Sequence, residues 1–243
     1  MTLLPLDTAV LEKSVETKLR YDTSAAERTR GGQNGQVPTT PSELAARISA
    51  GEVVEDDRFD RLLPAALRAH SRRYFTPVAV ALRVAEWLRD EGAQELLDIG
   101  SGAGKFCAIV GLRTELHVTG LEHRADLVAA SRSLAESLGV ETRVSFLHAA
   151  LGEVALPSAD AYYLYNPFGE NLLGLEGQLD HNVEFGEARF RQDVGLVQRL
   201  LRRAPSGTRL ITYNGFGGVI PTGYEDRRVE RHGLNDLVLW RKR

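Results

Sequence analysis

The stretch Glu95-Leu96-Leu97-Asp98-Ile99-Gly100-Ser101-Gly102-Ala103-Gly104-Lys105-Phe106 constrains this chain more than any other. Leu96, Leu97 and Ile99 form a short apolar run suited to a strand buried in a parallel sheet. The glycines that follow suit a sharp turn in which backbone amides come close to a ligand. The apolar run from Phe106 to Val110 then opens a helix. Strand, glycine turn and helix together make a corner that binds nucleotides. The rest of the chain has to say which nucleotide.

A chain of 243 residues suits one α/β domain with an extension, and 43% hydrophobic content is ordinary for a globular core. The formal net charge of −3 makes no general case for a nucleic-acid partner, which favours a basic face. The single cysteine, Cys107, excludes an internal disulfide framework and a cysteine-rich zinc site, and reads as a buried structural thiol. No apolar run reaches the ~18 residues of a membrane span, and the N-terminus lacks a basic region followed by an apolar core. The expectation is a soluble, cytoplasmic protein with no membrane partner.

Along the chain, Leu11, Val15 and Leu19 give residues 1–21 a weak helical pattern, and residues 22–41 read as a polar, glycine-rich linker. A helix runs from Pro41 to about Ser49, and a second from Asp56 to Arg73, with Leu63-Pro64 able to interrupt it. Thr76 is a candidate N-cap and Pro77 a first helical residue, for a helix to about Arg89 with Val78, Leu82, Ala85 and Leu88 inward. Strands are expected at Glu95–Ile99, His117–Glu122, Val140–Leu147, Ala159–Tyr165 and Thr208–Tyr213. Helices are expected at Ala125–Leu138, stopped by Gly139, and at Glu187–Arg203. Residues 170–186 read as irregular. Tyr224–Arg231 and Asp236–Arg241 read as a closing antiparallel pair around His232-Gly233. The alternation implies an α/β fold, a mostly parallel Rossmann-like sheet of seven strands with a C-terminal antiparallel hairpin. The domain reading is a helical extension over residues 1–73 and a nucleotide-binding domain over 74–243.

Asp98-Ile99-Gly100-Ser101-Gly102-Ala103-Gly104 resembles the first motif of class I S-adenosylmethionine (SAM) methyltransferases. A dinucleotide fingerprint needs its last glycine where this chain has Lys105. The terminal hairpin also fits the methyltransferase sheet. The resemblance covers residues 74–243 and implies SAM as cofactor. It makes Gly100, Ser101, Gly102 and Gly104 the cofactor turn, with Asp98 orienting its methionine end. Glu122, at the end of the second strand, sits where an acid accepts hydrogen bonds from ribose hydroxyls. His123 is either an adenine-edge contact or a plain surface residue. Many family members carry an acid after the third strand for the adenine amino group. This chain has Leu147-His148-Ala149-Ala150 there, which leaves His148 or backbone near Ala149 for that contact. Tyr74-Phe75-Thr76-Pro77 resembles the segment that some amino-methyltransferases place near the SAM carboxylate, making Tyr74 and Thr76 contact candidates.

Tyr165-Asn166-Pro167-Phe168 resembles the fourth motif of the same family, with one proline lost. In members that methylate amino nitrogens, the Asn oxygen and the Pro carbonyl accept hydrogen bonds from the target amine, and the aromatic packs on it. Asn166, Pro167 and Phe168 take those roles by this resemblance. The implied reaction is transfer of a methyl group to an amine nitrogen of a protein, nucleic acid or small molecule. Neither a metal nor a strong base is expected, because the work is alignment and exclusion of water. The acceptor is unassigned, and net charge gives nucleic acid no support. An O-methyltransferase, or a SAM-binding protein without catalysis, are the alternatives.

Overall fold

The computed structural model describes residues 40–172, 179 and 186–243. The expected N-terminal helix, most of the linker, and much of the irregular stretch 170–186 lie outside the described residues. The described elements form a seven-stranded, mostly parallel sheet in the order β3-β2-β1-β4-β5-β7-β6. Its strands are β1 (Glu95–Ile99), β2 (His117–Glu122), β3 (Val144–His148), β4 (Ala161–Leu164), β5 (Arg209–Tyr213), β6 (Tyr224–His232) and β7 (Asn235–Lys242). Among the described residues, 40–162 and those from 163 on make two compact units.

In the first unit, β1 pairs with β2 and β2 with β3, both parallel. Helix α1 (Pro41–Ser49) is closed by a capping box: the Thr40 hydroxyl accepts from the Glu43 amide, and the Glu43 carboxylate accepts from the Thr40 amide. The single helix expected over Asp56–Arg73 is instead broken. It consists of α2 (Asp56–Phe59), a 3₁₀ turn at Asp60–Leu62, α3 (Ala65–Arg68) and α4 (Ser71–Tyr74). Leu63, extended at φ −81° and ψ 153°, ends the first piece, as the residue before a proline tends to.

Helix α5 (Val78–Asp90) buries Val78, Leu82, Ala85 and Leu88 as expected, and Val80, Val84 and Trp87 besides. Each such Val or Leu contributes about 1.5–3 kcal/mol of burial. Its start differs from the expectation. Pro77 takes the N-cap position, without a side-chain capping bond of its own, and Val78 is the first helical residue. The Val78 amide donates to Asp56 Oδ1 at 2.9 Å, so a distant carboxylate takes the first amide of this helix.

Helix α6 (Lys105–Arg113) packs on α1, α5 and α7 (Ala125–Leu138). The expected inner residues of α7, Leu127, Ser131, Leu134 and Leu138, are all buried, and Gly139 ends the helix at φ +68°. The strand expected from Val140 begins only at Val144. The Arg143 and Val144 amides both donate to the Val140 carbonyl and close a turn first.

In the second unit, α8 (Glu187–Arg203) buries Phe190, Val194, Val197 and Leu201, as its periodicity requires. β7 pairs antiparallel with both β5 and β6, which is the expected hairpin. Among the described residues no helix is long and apolar enough to cross a membrane.

Gly111, inside α6, shows how tightly helix and sheet meet. A Cβ there would lie 2.4 Å from Val144 Cγ2. Helix propensity alone favours Gly111→Ala by about 1 kcal/mol, whereas overpacking a rigid branched side chain costs about 1–3 kcal/mol. The second effect should win. Denaturant unfolding should show Gly111→Ala to be less stable than the wild type.

Candidate functional site

The glycine turn between β1 and α6 passes three times through the left-handed region, at Gly100 (φ +82°), Gly102 (φ +55°) and Gly104 (φ +78°). L-residues pay roughly 1–2 kcal/mol for that conformation, so glycine is required at each position. The Gly100 and Ser101 amides both donate to the Leu121 carbonyl, at 2.9 and 3.0 Å. Gly104 also lets α6 approach the sheet, because a Cβ there would lie 2.6 Å from Ser131 Cβ and 2.8 Å from Phe146. The Ser101 hydroxyl turns toward β2, where a Cβ on Gly120 would sit 2.6 Å from it. Gly120 therefore belongs to the turn, a role its place inside a strand pattern did not reveal.

Glu122 ends β2 and is 4% exposed. Its Oε2 accepts from the Gly102 amide at 3.1 Å, and Oε1 accepts from the His123 and Arg124 amides at 2.9 Å each. Burial works to raise its pKa, but bonds and charge from His123 and Arg124 outweigh it and hold the pKa below the usual carboxylate range. Oε2 carries a single bond among the described residues and keeps capacity for a second donor. His123 is partly exposed, with Nδ1 3.1 Å from Glu122 Oε1. His148 pairs in register with Glu122, and its Nε2 lies 3.2 Å from the His123 carbonyl. The Ala149 amide donates to the Glu122 carbonyl at 3.0 Å. Glu153 returns its carboxylate to the Ala150 amide at 2.7 Å.

Asp98 is fully buried beneath the turn and accepts from the Cys107 thiol at 3.2 Å. Burial raises its pKa to about 7; the thiol bond opposes this and the Glu122 charge adds to it. Burial and the Asp98 charge push the Cys107 thiol well up, as befits an inert structural cysteine. Thr76 is buried, and Tyr74 is half-buried beneath the Arg73 guanidinium, 5.5 Å from its ring centroid. Phe75 lies against the turn: a Cβ on Gly102 would be 3.1 Å from its ring. The first unit thus brings together the glycines, Glu122, His123, His148 and Ala149, and sets Phe75, between Tyr74 and Thr76, against the turn.

Asn166, Pro167 and Phe168 belong to the second unit. Asn166 is 1% exposed and holds a positive φ of 38°. Its amide donates to the Gly215 carbonyl at 2.9 Å, and its carbonyl accepts from Gly169 at 3.2 Å. Gly169 leaves room for the Asn166 side chain, whose Nδ2 would lie 2.6 Å from a Cβ there. Phe168 is buried, and its carbonyl accepts from the amide and side chain of Asn171. Asn214, next to Gly215, is the other non-glycine residue with positive φ among those described, at 59°. Backbone strain of this kind concentrates at functional sites.

No family model matches the chain. Among solved structures it is similar to an RNA methyltransferase from Salinibacter ruber in complex with S-adenosyl-L-homocysteine (SAH). The two are 22% identical, with 69% of this chain and 92% of that one covered at a TM-score of 0.50. It is also similar to an O-methyltransferase from Bacillus cereus in complex with SAH, at 11% identity, 94% and 100% coverage and a TM-score of 0.51. These likenesses establish the fold as that of class I methyltransferases.

The Asp98 carboxyl sets a pH dependence. Its folded pKa is raised from 3.8 to about 7, so below about 4 it is protonated in both states and its contribution is fully present. As pH rises toward about 7, the folded protein holds a proton that the unfolded chain has released, and the contribution is lost. In thermal unfolding of ligand-free protein across this window, Asp98→Asn should show a smaller fall in Tm than the wild type.

Proposed function

We propose that the chain is a SAM-dependent methyltransferase that transfers a methyl group to an amine nitrogen. One observation carries the reading: three left-handed glycines present the Gly102 backbone beside an ionised, buried Glu122, with that amide and carboxylate already bonded at 3.1 Å. A side chain at Gly102 would crowd the Phe75 ring, 3.1 Å from a Cβ there, and strain the turn, and an acid at this strand end suits ribose hydroxyls while repelling a 2′-phosphate. The residues present therefore fit SAM. When bound, it supplies a methyl group already activated on a sulfonium.

The chain's own residues bind, orient and exclude water. Glu122 holds ribose and the glycine turn carries the cofactor backbone. Tyr74 and Thr76 lie toward the methionine end, and Asp98 underpins the turn. His123, His148, Ala149 and the added candidate Glu153 address adenine. Asn166 and the Pro167 carbonyl accept hydrogen bonds from the target amine, which keeps the nitrogen lone pair free for the methyl carbon, and Phe168 packs on the target. The acceptor atom sits in a protein, nucleic acid or small molecule. The solved O-methyltransferase with the same fold keeps O-methylation as a second outcome of the test. The burial of Asn166 and Phe168 supports another reading, a SAM-binding protein without catalysis. Calorimetry with SAM and SAH, alongside transfer of labelled methyl to separated protein, RNA and small-molecule fractions, distinguishes these outcomes. The domain division at residues 73 and 74 is part of the proposal.

Gly102→Val should abolish SAM binding in calorimetry, and near-normal affinity would count heavily against this site. Glu122→Ala should weaken SAM by about 1.5–3 kcal/mol, the worth of hydrogen bonds to a charged group. Asn166→Ala should lower turnover more than SAM affinity; unchanged turnover removes it from the catalytic set.

A further inference from the structure

A buried lysine ties together the two backbone segments assigned to the cofactor. Lys105 is the first residue of α6, directly after the glycine turn, and is 2% exposed. Its Nζ lies 2.7 Å from Asp56 Oδ1, 2.7 Å from Asp60 Oδ1 and 3.4 Å from Ser71 Oγ. An ammonium has three donors, and these three oxygens take them all. Burying a charge so fully is tolerated only when partners of this quality surround it.

Asp56 Oδ1 does a second job. It also accepts from the Val78 amide at 2.9 Å, at the start of α5. One carboxylate oxygen thus bonds the first residue of each helix, α5 behind the Tyr74–Pro77 segment and α6 behind the glycine turn. The Phe75 ring against Gly102 is a second link between the same two segments. The fragmented backbone of residues 56–75 is compatible with this arrangement. A continuous helix would present its side chains on a fixed helical repeat. Breaks near Leu63-Pro64 and Ala69-His70 let Asp56, Asp60 and Ser71 converge on the Lys105 ammonium.

We propose that Asp56, Asp60 and Lys105 are positioning residues for the cofactor, setting the spacing between Tyr74–Pro77 and the glycine turn. The inference rests on the reading that these two segments bind SAM. It extends the cofactor site across the proposed boundary at residues 73 and 74, back to residue 56. The three residues touch no reacting atom. A brace that serves only stability lowers Tm and leaves affinity alone, whereas a positioning cluster changes affinity in protein that is still folded.

The test is calorimetric titration of SAH into wild type, Asp56→Ala, Asp56→Asn and Lys105→Met, at a temperature where circular dichroism shows each to be folded. Misplacing one cofactor segment should raise Kd on the order of tenfold for Asp56→Ala and Lys105→Met. Asp56→Asn keeps an oxygen for the Val78 amide and should show a smaller rise. Kd values within about twofold of wild type, a change of under ~0.5 kcal/mol, overturn the proposal even if Tm falls. If the variants do not fold, amide exchange in wild-type protein decides. SAH should slow exchange in residues 56–63 as well as in the glycine turn, and no change at 56–63 overturns the proposal. Wild-type protein that binds no SAH overturns the cofactor reading, and this proposal with it.

Discussion

The backbone must cross the left-handed region three times between β1 and α6, and the architecture of the first unit follows from that constraint. Only glycine makes the crossings without a steric penalty. The tight path places the Gly100 and Ser101 amides on the Leu121 carbonyl and the Gly102 amide on the Glu122 carboxylate. The turn is thereby fastened to the end of the neighbouring strand. Its closeness to that strand makes glycine necessary a fourth time, at Gly120, where Ser101 and Phe146 occupy the space a side chain would need.

Two buried acids flank this turn and are treated in opposite ways. Asp98 has one weak donor, the Cys107 thiol, so burial dominates and the proton is held to about pH 7. Glu122 receives three backbone amides as well as the charge of its neighbours, and its ionised form is favoured in spite of burial. Donor count, more than depth, decides which form each carboxyl takes. A carboxylate that stays charged in a dry setting is a stronger acceptor than one in water. That property suits the ribose role proposed for Glu122.

The second unit organises its own strand ends by the same economy of backbone bonds. Asn166 and Asn214, after β4 and β5, both hold positive φ, which asparagine tolerates better than most residues. The Asn166 amide finds the Gly215 carbonyl, and the Asn214 amide finds the Asp236 carbonyl in β7. Each turn is thus held by a partner distant in sequence. The proposed acceptor residues sit on a loop fixed by backbone, with Gly169 leaving space for the Asn166 side chain.

Features written in local pattern were legible from the sequence. β2, α7 and α8 fall at the expected residues, because apolar periodicity and a stop such as Gly139 act within a few positions of themselves. The glycine turn and the strand-end acid were readable for the same reason. Tertiary structure decided the rest. The N-cap position of α5 fell to Pro77, and its first amide is taken by Asp56, which is 22 residues from Val78. Lys105 looked like a departure from a glycine motif until its partners, 45 and 49 residues away, gave it a function. The helix expected over residues 56–73 broke at Leu63-Pro64, a local signal, but only the fold showed that the pieces carry Asp56, Asp60 and Ser71 to one buried ammonium. Sequence alone determined which strands, turns and glycines form the corner; only the folded chain could show which distant charges hold it, since desolvation and pairing depend on neighbours that no local pattern encodes.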